Sequence, residues 1–400
     1  MNKKSIPEIR FQNFEGQWLD KSLCDLSNKV KEKNKDLLFS ETLTNSAEFG
    51  IINQRDFFDK DISNIKNLDS YYIVRNNDFV YNPRISNYAP VGPVKRNRLG
   101  RTGVMSPLYY VFRVNASIVD LDYLEKYFDS SFWHKFMRLN GDSGARSDRF
   151  AIKDSIFQEM PIPLPSVSEQ SAIGSLFRTL DDLLAAYKEN LANYKTFKAS
   201  MLSKMFPKAG QKVPEIRLAE FEGEWEEKEF TKIVKRVSTS SSSSQLPKVE
   251  YEDIVSGQGR LNKDVSNKFD NRKGIHFKPG YTLYGKLRPY LNNWLLPKFE
   301  GVALGDFWVF DPNGYNPEFI YYLIQSSHYQ KVANDTSGTK MPRSDWKSVS
   351  TTNFALPSTI KEQVAIGSFF SNLDTFISSY QDKISQLETL KKKLLQDMFI

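Results

Sequence analysis

The sequence predicts an α+β chain built twice over: a mixed α/β body followed by a long helix, then a second body and a second long helix, with the two helices pairing inside one molecule. Three observations carry this reading. Two short motifs recur, each body holds aromatic and β-branched runs beside an amphipathic segment, and each copy closes on the same seven-residue apolar seam. The chain has 400 residues, 40% of them hydrophobic and 14% aromatic, which is enough for two or three domains with sizeable cores.

The first copy opens on Pro7-Glu8-Ile9-Arg10-Phe11 and Phe14-Glu15-Gly16-Gln17-Trp18, which return as Pro214-Glu215-Ile216-Arg217-Leu218 and Phe221-Glu222-Gly223-Glu224-Trp225. In the body that follows, 71–74, 78–81 and 104–114 read as strands, because β-branched and aromatic side chains fit a pleated surface. The segment 121–139 reads as one amphipathic helix. The second body answers with strands at 280–287, 294–296 and 307–310 and a helix at 317–332. Ser130-Ser131 and Lys135 correspond to Ser326-Ser327 and Lys331, and each helix leads to a Ser-Gly turn, at 143–144 and 337–338. The serine run 238–244 is low in complexity and is expected to be a mobile loop.

Each body then passes through Leu-Pro into a Glu-Gln-x-Ala-Ile-Gly-Ser helix start, at 169–175 and 362–368. Apolar residues follow at Ile173, Phe177, Leu180, Leu184, Tyr187, Leu191, Tyr194, Met201 and Met205, in steps of four and three. The second helix repeats them at Ile366, Phe370, Leu373, Ile377, Tyr380, Ile384, Leu387, Leu394 and Met398. A lysine interrupts each seam at the same place, Lys198 and Lys391, where a polar residue sets register at a cost in stability. Helices of this length reach about 57 Å at 1.5 Å per residue, enough to act as a ruler between two bodies.

The inventory for chemistry is poor. His134, His276 and His328 are scattered, and the single Cys24 can form neither an internal disulfide nor a zinc site. His134, next to Trp133, reads as a packing residue. Gly280 to Lys286 imitates the start of a phosphate-binding loop, but Leu287 stands where a magnesium-binding hydroxyl is needed and Pro289 opposes the helix that should follow. An Asn/Asp-Pro-Pro-aromatic methyltransferase motif is absent; 82–84 and 311–313 come nearest and do not fit. No long apolar run and no secretory leader is visible, so a cytoplasmic location and no membrane partner are expected.

A net charge of +7 favours a polyanionic partner, since each Lys or Arg on a phosphate releases condensed counterions. Basic residues interleave with Asn and Tyr in comparable loops of both bodies. The candidates for duplex contact are Arg84, Asn87, Tyr88, Lys95, Arg96, Asn97, Arg98 and Arg101, with Arg146 and Arg149 after the first Ser-Gly turn. The second body offers Lys286, Arg288, Tyr290, Asn292 and Asn293, with Lys340 and Arg343 after its own Ser-Gly turn. Arg can grip guanine bidentately, Asn can grip adenine, and Lys and Arg hold phosphates.

These motifs together resemble the specificity subunit of a type I restriction–modification system. The resemblance rests on the paired Pro-Glu-Ile-Arg…Phe-Glu-Gly-x-Trp starts, the paired Leu-Pro…Glu-Gln-x-Ala-Ile-Gly helix starts, Gly103-Val104-Met105-Ser106-Pro107-Leu108-Tyr109-Tyr110 and Gly285-Lys286-Leu287-Arg288-Pro289-Tyr290-Leu291, and covers essentially the whole chain. It implies two target recognition domains, 1–165 and 208–357, each reading half of a split site in double-stranded DNA. The long helices, 166–207 and 358–400, would form an intramolecular antiparallel coiled coil that sets the spacing, with an internal pseudo-twofold repeat. It further implies a bacterial or archaeal complex with two methyltransferase (modification) subunits that methylate adenine at N6 and with nuclease/translocase (restriction) subunits. S-adenosylmethionine and ATP would sit on those partners, with no cofactor, metal or catalytic residue on this chain. A stand-alone bipartite DNA-binding regulator and a non-catalytic two-domain scaffold stay open as alternatives.

Overall fold

The computed structural model describes residues 6–57, 65–142, 148–335 and 341–400. The chain forms two compact units, Met1–Ala186 with Ile384–Ile400, and Tyr187–Lys383. Each long helix is therefore shared between them.

The centre of the first unit is a four-stranded antiparallel sheet in the order Ser27–Lys29, Tyr110–Val114, Phe79–Tyr81, Val94–Arg96. Side chains alternate across a strand, so Phe79, Tyr81 and Phe112 enter the core beneath the helices while Val80 and Val111 enter a second core on the opposite face. The second unit repeats this order with Lys235–Arg236, Phe307–Asp311, Thr282–Gly285 and Trp294–Leu295. Tyr284, Trp308 and Phe310 take one face there, and Leu283 and Val309 the other. In each unit a two-stranded ribbon ties the start of the body to its end: Leu19–Ser22 with Pro161–Leu164, and Glu226–Glu229 with Asn353–Leu356.

Three local expectations need correction. The segment 104–114 is two strands, Gly103–Met105 and Tyr110–Val114, because Pro107 has no N–H and the chain turns with Tyr109 N–H donating to the Ser106 carbonyl at 3.1 Å. The amphipathic segments are helix pairs, Leu121–Asp129 with His134–Asn140 and Pro317–Leu323 with Ser327–Ala333. Each breaks at its Ser-Ser: the Ser130 hydroxyl donates to the Tyr127 carbonyl at 2.6 Å, and Ser326 caps the next helix by accepting from Tyr329 N–H at 3.3 Å. The serine run 238–244 is not a free loop. Ser240–Ser241 pairs with Gly274 and Ile275, and the buried Lys248 ammonium donates to the carbonyls of Ser243 (2.6 Å) and Leu246 (3.0 Å).

The long helices run Val167–Lys204 and Ile360–Asp397, and they pack antiparallel. In the second unit Tyr187 meets Tyr380 at 5.5 Å, Tyr194 meets Phe376 at 5.8 Å and Phe197 meets Phe369 at 6.3 Å, so one numbering rises as the other falls. Both seam lysines find an aspartate of the facing helix. Lys198 reaches Asp374 at 2.6 Å, beneath the Tyr322 ring, and in the first unit Lys391 reaches Asp181 at 2.5 Å.

Candidate nucleic-acid interface

The repeated motifs build the platform on which the candidate surface stands. Arg10 forks onto the buried Glu169 carboxylate with two 2.7 Å bonds, and its remaining N–H groups reach the carbonyls of Glu15 and Gly16. Arg217 does the same to Glu362 at 2.8 and 2.8 Å, and the Trp225 indole adds a third bond at 3.1 Å. The neighbouring glutamines clamp the first helix of each helix pair: Gln170 takes Asp120 N–H (2.9 Å) and gives to Pro165, while Gln363 takes Asn316 N–H (3.1 Å) and gives to Pro357. Glycine follows because space runs out. A Cβ on Gly174 would lie 2.8 Å from Asp120 Oδ1, and one on Gly367 2.8 Å from Asn316 Oδ1. The repeated Arg, Glu-Gln and Gly positions are thus docking contacts between each body and its long helix, while the Ser-Gly repeats at 143–144 and 337–338 lie outside the described residues.

On this platform both units present one backbone device. In the first, Arg84 faces Arg149 across an antiparallel bridge, with Ile85 N–H donating to Asp148 (3.0 Å) and Phe150 N–H to Pro83 (2.8 Å). In the second, Leu287 faces Arg343, with Arg288 N–H donating to Pro342 (2.7 Å) and Ser344 N–H to Lys286 (2.8 Å). Arg149 and Arg343 therefore hold equivalent places. The strand connection beside each bridge carries the other exposed candidates. Asn87 and Tyr88 form the tip of a turn closed by Ser86 and Ala89, and Tyr88 is 80% exposed. Arg288 and Tyr290 are exposed on a 3-10 turn, Pro289–Leu291, flanked by left-handed Arg288 (φ 49°) and Asn292 (φ 56°). Among the described residues, no carboxylate pairs with Arg84, Arg149 or Arg288. Lys286 and Arg343 share Asp306 at 3.5 and 3.0 Å; burial works against that carboxylate, but the two cations outweigh it and hold it below its ordinary range.

The structure places the basic run 95–101 differently. Lys95 pairs with Asp129 (2.7 Å), the buried Arg96 with Asp122 (2.5 Å), Arg98 with Asp122 and Glu125 (2.5 and 2.7 Å), and Arg101 with Glu41 (2.7 Å). These bonds staple the sheet to the helix Leu121–Asp129 and to Glu41. Burial alone would raise the Asp122 and Asp129 carboxyls; the surrounding cations pull both below the usual carboxylate range. Asn97 is fully buried, with its amide on the Arg75 and Arg101 carbonyls at 3.0 Å, and Asn293 is 7% exposed. Arg146 and Lys340 lie outside the described residues.

Two of the histidines have packing partners, and the third, His276, meets Glu300 at 2.6 Å. His134 lies 4.7 Å from the Trp133 ring, and burial depresses its pKa to about 4. His328 lies against Phe354 at 4.8 Å. Among the described residues no group of three His, Cys, Asp or Glu side chains is placed to hold a metal ion, and no helix is long and apolar enough to cross a membrane.

Residues 223–389 match the family described as the type I restriction modification DNA specificity domain. A curated relative, the type I restriction enzyme MjaVIII specificity subunit of Methanocaldococcus jannaschii, is 20% identical over 324 residues, which span 74% of this chain and 73% of the relative. Two solved structures share the fold. The type I restriction-modification S subunit from M. genitalium superimposes with a TM-score of 0.58 at 14% identity, covering 99% of both chains. A chain from a study of complex assembly and conformational transition of the type I R-M system superimposes with a TM-score of 0.52 at 12% identity, covering 96% of this chain and 97% of the other.

Proposed function

We propose that this chain is a specificity subunit of a type I restriction–modification system and that each unit reads one half of a split duplex site through its bridge and the adjoining turn. The observation that carries this is the repetition of one bridge with exposed arginines, Arg149 facing Arg84 and Arg343 facing Leu287 beside Arg288, in two bodies whose loops otherwise differ. Arg84, Asn87, Tyr88 and Arg149 form the first contact set, and Arg288, Tyr290, Asn292 and Arg343 the second. Lys286 supports Arg343 through Asp306. Lys95, Arg96, Arg98 and Arg101 serve the fold, since each is paired with a carboxylate of this chain, and Asn97 and Asn293 are buried. Arginines fix register on phosphates and grip guanine edges, and asparagines suit adenine. Two heads on one chain raise the effective concentration at the second half-site.

The chain recognises and does not react. Two methyltransferase subunits carry S-adenosylmethionine and methylate adenine N6, and nuclease/translocase subunits carry ATP, all in the cytoplasm. Half-exposed apolar side chains on the long helices, Leu183 and Leu390 in the first unit, support docking of such partners. Mapping N6-methyladenine in cells carrying this chain and its neighbouring methyltransferase tests the proposal. A split motif that disappears on deletion of the chain is expected. An unchanged methylation pattern would overturn it, and specific binding by this chain with no methyltransferase required would favour a stand-alone regulator.

A further inference from the structure

We propose that Tyr88 and Tyr290 are wedges, each ring entering the duplex beside a half-site and stacking on a base of an opened step. The inference rests on the duplex-reading function above and adds a way of binding to it. Tyr88 is 80% exposed and Tyr290 57% exposed. A tyrosine ring carries a large apolar area that a fold usually covers at least in part. Neither ring is left out because its backbone is loose. Around Tyr88 the turn is closed by Ser86 N–H to the Ala89 carbonyl at 3.0 Å and Ala89 N–H to the Ser86 carbonyl at 3.1 Å. It is fixed further by Gly92 (φ 85°), where a Cβ would lie 2.2 Å from the Asn82 carbonyl oxygen. Around Tyr290, Leu291 N–H donates to Arg288 and Asn292 N–H to Pro289, both at 2.9 Å, and Gly257 N–H ties Asn292 to the neighbouring hairpin at 3.0 Å.

The two tyrosines occupy the same strand connection of the repeat. Tyr88 lies between Phe79–Tyr81 and Val94–Arg96, and Tyr290 between Thr282–Gly285 and Trp294–Leu295. The connections differ in length and conformation, yet each ends by holding out a tyrosine next to exposed arginines, Arg84 and Arg149 or Arg288 and Arg343. A guanidinium on a phosphate brings the ring to the edge of the base stack. A rigid aromatic there can then replace base–base stacking with base–ring stacking and give a bent, better-covered duplex.

The test uses the full chain assembled with its methyltransferase subunits and a duplex carrying the split site assigned by methylome mapping, with each base pair beside a half-site replaced in turn by a mismatch. A mismatch weakens stacking in advance, so a wedge binds that duplex more tightly. One flanking mismatch per half-site is expected to tighten binding by the wild-type chain on the order of tenfold, because opening a step otherwise costs a few kcal/mol. Tyr88→Ala should lose this gain at one half-site and Tyr290→Ala at the other. Tyr88→Phe and Tyr290→Phe should keep it. Tight binding with no gain from any flanking mismatch, or a gain that survives the alanine variants, overturns the wedge and leaves duplex reading intact. Phenylalanine variants that behave like alanine also overturn it, because the hydroxyl would then be the contact. Failure of the wild-type chain to bind the matched duplex overturns duplex reading itself, and the wedge with it.

Discussion

Arg217→Met tests the docking of the second body on its long helix. Glu362 is 3% exposed and accepts two charge-assisted bonds from Arg217 at 2.8 Å and one from the Trp225 indole at 3.1 Å. Removing the guanidinium leaves a buried carboxylate with the indole as its remaining side-chain donor from this set. Breaking a buried pair costs about 3–5 kcal/mol, and because the Arg217 side chain is itself 15% exposed, water can partly replace it and the lower end, about 3 kcal/mol, is expected. Arg217→Met/Glu362→Gln should recover at least about 1 kcal/mol of that loss, since the acceptor no longer carries an unpaired charge. Urea unfolding followed by tryptophan emission reads the change, with Trp225 reporting at the site. A loss below about 1 kcal/mol for Arg217→Met would place the fork among ordinary surface pairs and refute its role in docking the body on the helix.

Arg84→Ala and Arg149→Ala should each weaken duplex binding and lower its salt slope by about 1 for every phosphate no longer neutralised, with thermal stability unchanged, whereas Arg98→Ala should lower stability through Asp122 and Glu125; anisotropy titrations across salt and melting curves separate the two classes. Gly174→Ala should destabilise the first unit by about 1–3 kcal/mol, because its Cβ would meet Asp120 Oδ1 at 2.8 Å and Asp122 Cβ at 2.9 Å, and hydrogen exchange at the Asp122 and Tyr123 amides should accelerate. His134 contributes a distinct pH dependence. Burial holds its folded pKa near 4, so below about pH 6.5 the unfolded chain takes up the proton first. Its contribution is complete above that pH and falls as pH drops toward 4; replacing His134 with Asn should flatten that part of a urea-unfolding profile.

Much of the plan was legible without coordinates, for a physical reason. Repetition and periodicity are local properties: the seven-residue seam predicts the two long helices and their pairing, and the aspartates that meet Lys198 and Lys391 lie on the facing helices. The Ser-Ser pairs were visible as repeats but not as helix breaks, because whether a serine caps or continues a helix depends on which carbonyl or N–H its hydroxyl finds. Arg10 and Glu169 each recur in the second copy, yet 159 residues separate them, and no spacing rule pairs them.

The sequence by itself determined that this protein is two copies of one body, each followed by an arm of a shared coiled coil, and that basic residues cluster in equivalent loops. Which of those basic side chains are already neutralised by carboxylates is settled by tertiary contacts. Arg98 and Arg149 look alike in the sequence. One is stapled to Asp122 and Glu125, and the other stands on a bridge opposite Arg84 with no carboxylate paired to it among the described residues. A charge is neutralised by whatever the fold brings within a few ångströms, and those partners lie tens of residues away along the chain.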